Sequence, residues 1–300
     1  MGAAIRERQN DRPALAAARA FRRRYMLARR WRTLRFAGSA LIGTAGIALA
    51  LFGSASSAEY IGAIGAAWLL GSRIAMRPNE RRRQHDGALA QEVFDTEVFR
   101  LPWNGTRAGR RPAPEDIANW GRRQSEEDLP DWYPDTNGAN HPVDVLICQR
   151  AIVTWARQDH ETYARLLRWV ATAIGIGIIA LALALDLSLG EFLLRLGLPY
   201  LPLAFEMLDV ADENSRFAEL KLRLEENADA LFAEAVDGTA PTVESCRQLQ
   251  DEIFASRRGV GIPQWFYSVT RDGRQRNMEE VAAELVRKLP PSLKDEEPRA

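Results

Sequence analysis

Cysteine and histidine are scarce in this 300-residue chain: Cys148, Cys246, His85, His141 and His160 are all there are. Two cysteines are too few for a disulfide-dense secreted domain, and both are expected to be reduced and structural on the cytoplasmic side. The three histidines have no ligand spacing with either thiol, so no metal site is expected. The chain also lacks a phosphate-binding glycine loop and a nucleophile with a nearby base motif. With neither, it is not expected to be an enzyme or to hold a cofactor. The paired carboxylates Glu225-Glu226 and Glu279-Glu280 belong to solvated helix faces. Strand-like alternation and internal repeats are missing too, which leaves an all-α fold. Net charge is zero, from 40 basic and 40 acidic residues.

That zero hides a separation. Before Phe36 there are 11 arginines against Glu7 and Asp11, net +9, whereas Glu206 to Ala300 carries 20 acids and 13 bases, net −7. A basic arm beside a membrane reads first as an anionic-lipid contact and topology determinant. Beyond the arm the chain turns apolar. Phe36 to Ala58 is an uncharged run of 23 residues, enough at about 1.5 Å per residue to cross a hydrocarbon core of roughly 30 Å. Tyr60 to Met76 comes after a link containing Glu59, with Arg73 one turn from its end. A third stretch runs from Trp169 to Leu185, with Asp186 at its exit. The fourth and weakest is Phe192 to Leu208, where Arg195 and Glu206 sit near opposite ends and Pro199 and Pro202 should kink it.

These spacings predict four transmembrane helices arranged as two hairpins. The expected organisation is a basic helical arm (1–35), spans at 36–58 and 60–76, a middle segment (77–168), spans at 169–190 and 192–210, and a helical tail (211–300). Arginines flank the first pair of spans and are nearly absent from the short links, so the positive-inside rule places both termini and the middle segment in the cytoplasm. Helices are expected over Ala14 to Leu34, Ala113 to Arg123, Val143 to Trp169 entering the third span, Phe217 to Phe232, Thr242 to Arg257 and Asn277 to Leu289. Pro102 should stop the helix leaving the second span, and Asp131 to Pro142 must be a loop. Ser245 stands where the capping box starting at Thr242 would usually have Glu. Small residues at Ser39/Gly43, Gly46/Ala50, Gly62/Ala66 and Ala171/Gly175 permit close helix contact, within one subunit or between subunits.

Several local strings resemble the SMODS-associated four-transmembrane effector family of bacterial anti-phage systems. They are Arg8-Gln9-Asn10, Phe94-Asp95 with Phe99 to Asn104, Asp131-Trp132-Tyr133-Pro134, Ile147-Cys148-Gln149-Arg150, and Gln250 to Phe254 with Arg257-Arg258 and Ile262 to Tyr267. Their order against the spans matches over nearly the whole chain, although Gln264 stands where an acid is common. The resemblance implies an effector in the bacterial inner membrane, served by a cyclic-nucleotide synthase. Its cytoplasmic part would bind a cyclic oligonucleotide, with no role for DNA or RNA. Its membrane part would assemble as a homo-oligomer among the lipids or open, and permeabilise the membrane to abort infection. A small-solute transporter and a non-conducting scaffold or sensor are the alternatives.

A cyclic oligonucleotide offers phosphates and flat bases, which require arginine forks and aromatic platforms. The ligand-binding candidates are therefore Trp132, Tyr133, Gln149, Arg150, Trp155, Arg157, Arg257, Arg258 and Trp265. Core packing competes for Trp132, Tyr133 and Trp155, a salt bridge to Asp95 or Asp144 competes for Arg150, and an aromatic lock competes for Trp265 with its neighbours. Asp186, Arg195 and Glu206 are the candidate membrane or pore groups. Asp186 and Arg195 flank the outer turn and are candidates to pair.

Overall fold

The computed structural model describes residues 4–52, 64–65, 67–125, 129–259 and 261–294. Among these every regular element is a helix, apart from an isolated bridge between Ala139 and Lys294. In chain order they are α1 (Ile5–Arg8), α2 (Arg12–Phe52), α3 (Arg77–Phe99) entered through a π-turn at Ser72–Met76, α4 (Gly105–Ala108) and α5 (Pro114–Gly121). Then come α6 (Val143–Ala184), α7 (Leu189–Phe192) with a π-turn at Leu193–Gly197, α8 (Leu198–Val236), α9 (Val243–Arg257), α10 (Gln264–Lys288) and a 3₁₀ turn at Pro291–Leu293.

Local chemistry explains the ends. Helix α2 admits Pro13 because its first turn has no intrahelical partner for the missing N–H, and no further proline occurs in the next 39 residues. Helix α3 stops at Phe99, where Arg100 turns to a φ of 53°, before Pro102. Helix α9 is capped reciprocally: Thr242 Oγ1 accepts from Ser245 N at 3.0 Å, and Ser245 Oγ accepts from Thr242 N at 3.0 Å. The serine thus takes the part of the usual Glu. Two expected boundaries move. The tail helix expected from Phe217 is the distal half of α8, and α10 begins at Gln264 rather than Asn277, because Gly273 alone does not break a long helical run.

Four membrane-crossing helices are not all delineated. Among the described residues α6 is the one helix long and apolar enough to cross a membrane by length and composition. The run from Phe36 continues in α2 to Phe52, but the rest of it, the Glu59 link, the start of the second stretch and the Gly62/Ala66 pair fall outside the described residues. The fourth stretch is interrupted by the π-turn at Leu193–Gly197 and holds Pro202 inside α8.

The chain clusters into two compact units: Met1–Leu27, Arg83–Asp159 and Phe217–Ala300 form the first, Ala28–Arg82 and His160–Arg216 the second. The dividing points fall inside α2, α3, α6 and α8. The first unit is built on an aromatic core. Phe21 meets Phe94 edge-on with centroids 5.7 Å apart, Phe94 stacks on Tyr133 at 5.7 Å, and Phe99 lies 4.7 Å from Tyr133. Leu146, Ile147, Leu224 and Ile253 complete it, each 1% exposed or less.

In the second unit, small residues let helices touch. A Cβ on Gly38 would lie 1.9 Å from the Trp68 ring, and one on Gly43 would lie 3.2 Å from the Pro199 carbonyl. Ser39 Oγ accepts from Trp68 Nε1 at 3.3 Å, and the Ala171 carbonyl accepts from the Tyr200 hydroxyl at 2.6 Å. Ser39, Gly43 and Ala171 therefore serve contacts within one chain.

Candidate functional site

Two side chains in the first unit pin the loop after residue 129. Gln9, just past α1, forms a two-point amide pair with the Tyr133 backbone: Tyr133 N donates to Gln9 Oε1 at 2.7 Å, and Gln9 Nε2 donates to Tyr133 O at 3.4 Å. Asn10 does the same for Asp131, accepting from its N–H at 3.2 Å and donating to its carboxylate at 3.0 Å. This double clip holds Asp131 at a φ of 56°. Beside it opens a cavity of about 470 Å³, walled by Arg6, Gln9, Asp131, Tyr133, Asp135, Asn137 and the Glu279 to Val286 face of α10. The cation in that wall, Arg6, already pairs with Asp135 at 3.0 Å, so Asp131 and Glu279 leave the wall acidic.

Tyr133 joins that cavity to a buried polar cluster. Its hydroxyl donates to Asp95, which also receives the Arg257 guanidinium and Gln250 Nε2, the latter at 2.7 Å. Gln250 Nε2 also reaches Glu92 at 2.9 Å. Arg247 donates to Glu92 at 2.6 Å, to Asp251 at 2.9 Å and to the Pro102 carbonyl at 3.1 Å. Gln149 closes the ring, donating to Gln250 Oε1 at 3.0 Å and to the Cys246 carbonyl at 2.9 Å. Burial and Asp95 push the Tyr133 hydroxyl well above its ordinary pKa. Burial opposes the charge on Arg257, but Asp95, Tyr133 and Tyr25 outweigh it and hold its pKa above the ordinary value. Burial, and Asp95 after it, raises Glu92. Next to Arg257, Ser256 Oγ accepts from Lys221 Nζ at 3.2 Å; burial, then Arg257, lowers this amine to about 7. Burial also raises both thiols, Cys246 to about 12, so neither is a reactive thiolate.

The remaining expected site residues are dispersed. Trp132 packs on Phe21 with centroids 5.1 Å apart, under Arg22 at 5.4 Å. Arg150 pairs with Asp229 on α8, where Asp95 or Asp144 was expected; Asp95 is occupied by Arg257, and Asp144 lies 3.7 Å from Arg8. One and two turns further along α6, Thr154 and Arg157 share Glu225 at 3.0 and 2.6 Å. Trp155 is half-buried on α6, and Arg258 is exposed with its guanidinium 5.8 Å from the Phe254 ring. Tyr133, Gln149 and Arg257 are thus brought together, whereas Arg150 and Arg157 belong to an α6–α8 ion zipper. The side chains of Trp265 and Arg195 lie outside what is described. Asp186 is exposed at a φ of 52°.

Glu206 belongs to the second unit, whose charges gather near the ends of its apolar stretches. Arg32 Nε donates to Glu80 at 2.7 Å, and Arg35 Nη2 lies 3.1 Å from Glu80 and 3.0 Å from Glu206. Arg73 pairs with Asp209 at 3.1 Å, Arg77 with Glu213 at 2.7 Å and Arg168 with Asp212 at 3.0 Å. Beyond this collar the unit is greasy outside: of 23 large hydrophobic residues exposed among the described ones, 19 lie in it, Leu41, Trp169, Ile176 and Leu183 among them.

Composition alone did not reveal the Glu92/Asp95 and Arg247/Gln250 pairs of the cluster, nor Arg6, Gln9, Asn137 and Glu279 in the cavity wall. The cluster had a signal in its spacing: each pair lies three residues apart on a helix, and so on one face.

A family model, the SMODS-associating 4TM effector domain, matches residues 3–285. Among curated proteins, one of Bacillus cereus (strain VD146) named "Probable CBASS effector molecule" is 25% identical over 293 residues, covering 94% of this chain and 98% of its own. No solved structure matches.

Proposed function

We propose, from the premise that the chain belongs to the SMODS-associating four-transmembrane effector family, that it is a non-enzymatic effector of a cyclic-oligonucleotide anti-phage system, acting at the bacterial inner membrane. Its first unit senses a cyclic oligonucleotide from a partner synthase. Its second unit spans the membrane four times, the termini of the chain, which belong to the first unit, are cytoplasmic, and several copies assemble or open to permeabilise the membrane. The observation that carries this reading is the second unit's division into a greasy exterior and an ion-paired collar. Soluble proteins rarely leave so much apolar side chain exposed together, and lipid is its natural cover. The collar supports the two-hairpin topology: Arg35 precedes the first stretch, Arg73 and Arg77 close the second, Arg168 precedes the third, and Glu206 and Asp209 close the fourth. Two hairpins put those four ends on one side of a bilayer, where arginines belong.

For the ligand, the cavity beside Tyr133 is the proposed receiving site. Its acidic wall favours the donor edges of a base over a phosphate, so Arg258, exposed just past α9, and Trp132 stay candidates for the remainder of the molecule. The test is dye release from liposomes holding the purified protein, challenged with 3′,3′-cyclic GMP–AMP, cyclic di-AMP, cyclic di-GMP and cyclic UMP–AMP. Release that requires one of these nucleotides is the expected result. Steady solute uptake without nucleotide would make the protein a transporter, and absence of flux under every nucleotide would make it a scaffold.

A further inference from the structure

The collar contains one knot unlike its other pairs. Arg32 and Arg35 of α2, Glu80 of α3 and Glu206 of α8 meet with side-chain exposures of 8%, 6%, 7% and 14%. The charges cancel, two against two, but the hydrogen bonds do not close. Arg35 Nη2 lies within ion-pair distance of both glutamates. Arg35 Nε, Glu80 Oε2 and Glu206 Oε1 are left buried without a hydrogen bond. Desolvation of an ion cluster is repaid only when geometry is good and the remaining donors and acceptors are filled. This knot holds three helices in register while stabilising them little. Once the helices part, water can hydrate all four charged side chains, which offsets the loss of the ion pairs.

We propose that Arg32, Arg35, Glu80 and Glu206 form an ion latch, which keeps the cytoplasmic ends of the membrane helices together at rest and parts when the effector is activated. The inference rests on the permeabilisation reading and adds the residues that hold the path shut. Helices α2, α3 and α8 cannot separate at this level without parting Arg35 from a glutamate, and once parted the four charged side chains face water at the mouth of the opening. The latch sets how much of the protein is open without ligand.

The experiment compares ligand-free dye release from liposomes holding wild type, Glu206→Arg, and the full exchange Arg32→Glu/Arg35→Glu/Glu80→Arg/Glu206→Arg, which keeps every pair of the knot opposite in sign. Each variant is first shown to be inserted and monodisperse. A third positive charge in the knot should raise ligand-free release by about tenfold or more. Exchanging the charges should bring it back to the wild-type level, a recovery that general misfolding would not give. Unchanged release from Glu206→Arg overturns the latch, and so does release that the exchange fails to reverse. The same nucleotide panel separates the two ideas. If wild type leaks with a nucleotide but Glu206→Arg is tight without one, the effector reading stands and the latch falls. If no nucleotide acts on wild type but Glu206→Arg leaks and the exchange seals it, the latch stands and the sensing falls. If nothing leaks under any condition, both fall.

Discussion

The cluster around Asp95 in the first unit, two arginines with Glu92, Asp95 and Asp251, and the knot around Glu80 in the second, two arginines with two glutamates, finish their central carboxylates differently. In the first, every oxygen of Glu92 and Asp95 accepts a hydrogen bond, because Gln250 and Tyr133 bring neutral donors to the places the arginines do not reach. In the second, two glutamate oxygens, Glu80 Oε2 and Glu206 Oε1, accept none. Buried charge is tolerable when neutral donors complete it, and such a cluster behaves as a fastener for the helices that supply it. Left incomplete, the same charges make a joint that can part. The first cluster has idle buried atoms of its own, Arg247 Nε, Arg257 Nη2 and Gln149 Oε1, so what separates the two is the filling of their carboxylates.

Opening the finished cluster is the most direct challenge to this contrast. Asp95→Ala leaves Arg257 buried without a counter-charge and strips Tyr133 and Gln250 of an acceptor, a loss of about 3–5 kcal/mol. Chemical unfolding in detergent, tracked through the aromatic core, should show a collapse of stability that Asp95→Asn recovers in part; a loss under about 1 kcal/mol would mean that the cluster is not a fastener. Lys221 refines the contrast, since it is a buried amine near Arg257 that donates to a serine hydroxyl. Its amine is held at about 7 against an ordinary 10.5, so between those values the unfolded chain binds the extra proton. Folding is therefore penalised in full below pH 7, and the penalty fades as pH rises from about 7 towards 10.5. Lys221→Met should stabilise the protein by on the order of 2 kcal/mol at pH 6, with the gain shrinking by pH 9. A gain that is flat across pH would place the effect in packing instead.

Much of this architecture was legible because helices announce themselves locally. The uninterrupted run through Trp169 gave α6, Thr242 and Ser245 gave the start of α9, and Pro102 marked where α3 had already stopped. Pairings were not legible. With 40 basic and 40 acidic residues, nothing local says that Asp95 takes Arg257 while Arg150 takes Asp229, because each choice depends on which helix faces lie together over more than 75 residues of chain. Glutamine was the blind spot. Gln149 was named for a ligand and Gln9 and Gln250 only within the resemblance strings, and all three are buried as connectors. Tyr133 and Trp132 were chosen for their flat rings; Tyr133 packs against Phe94 and Phe99, and Trp132 meets Phe21 in a T-shaped contact with Arg22 over its ring.

Arg150 tests how far the fastener idea extends beyond the cluster. It sits on the same helix as Gln149 and pairs just as directly, but its partner Asp229 is half-exposed, so water and salt screen the pair and either side chain can rehydrate when the other is removed. Arg150→Ala should then cost less than about 1 kcal/mol, an effect that disappears in high salt, where the Asp95 variants keep theirs. If Arg150 has no duty beyond this pair, nucleotide-triggered dye release should also survive the change. Retained folding with abolished release would instead put Arg150 on the ligand, and would show that the α6–α8 zipper can open to receive a phosphate.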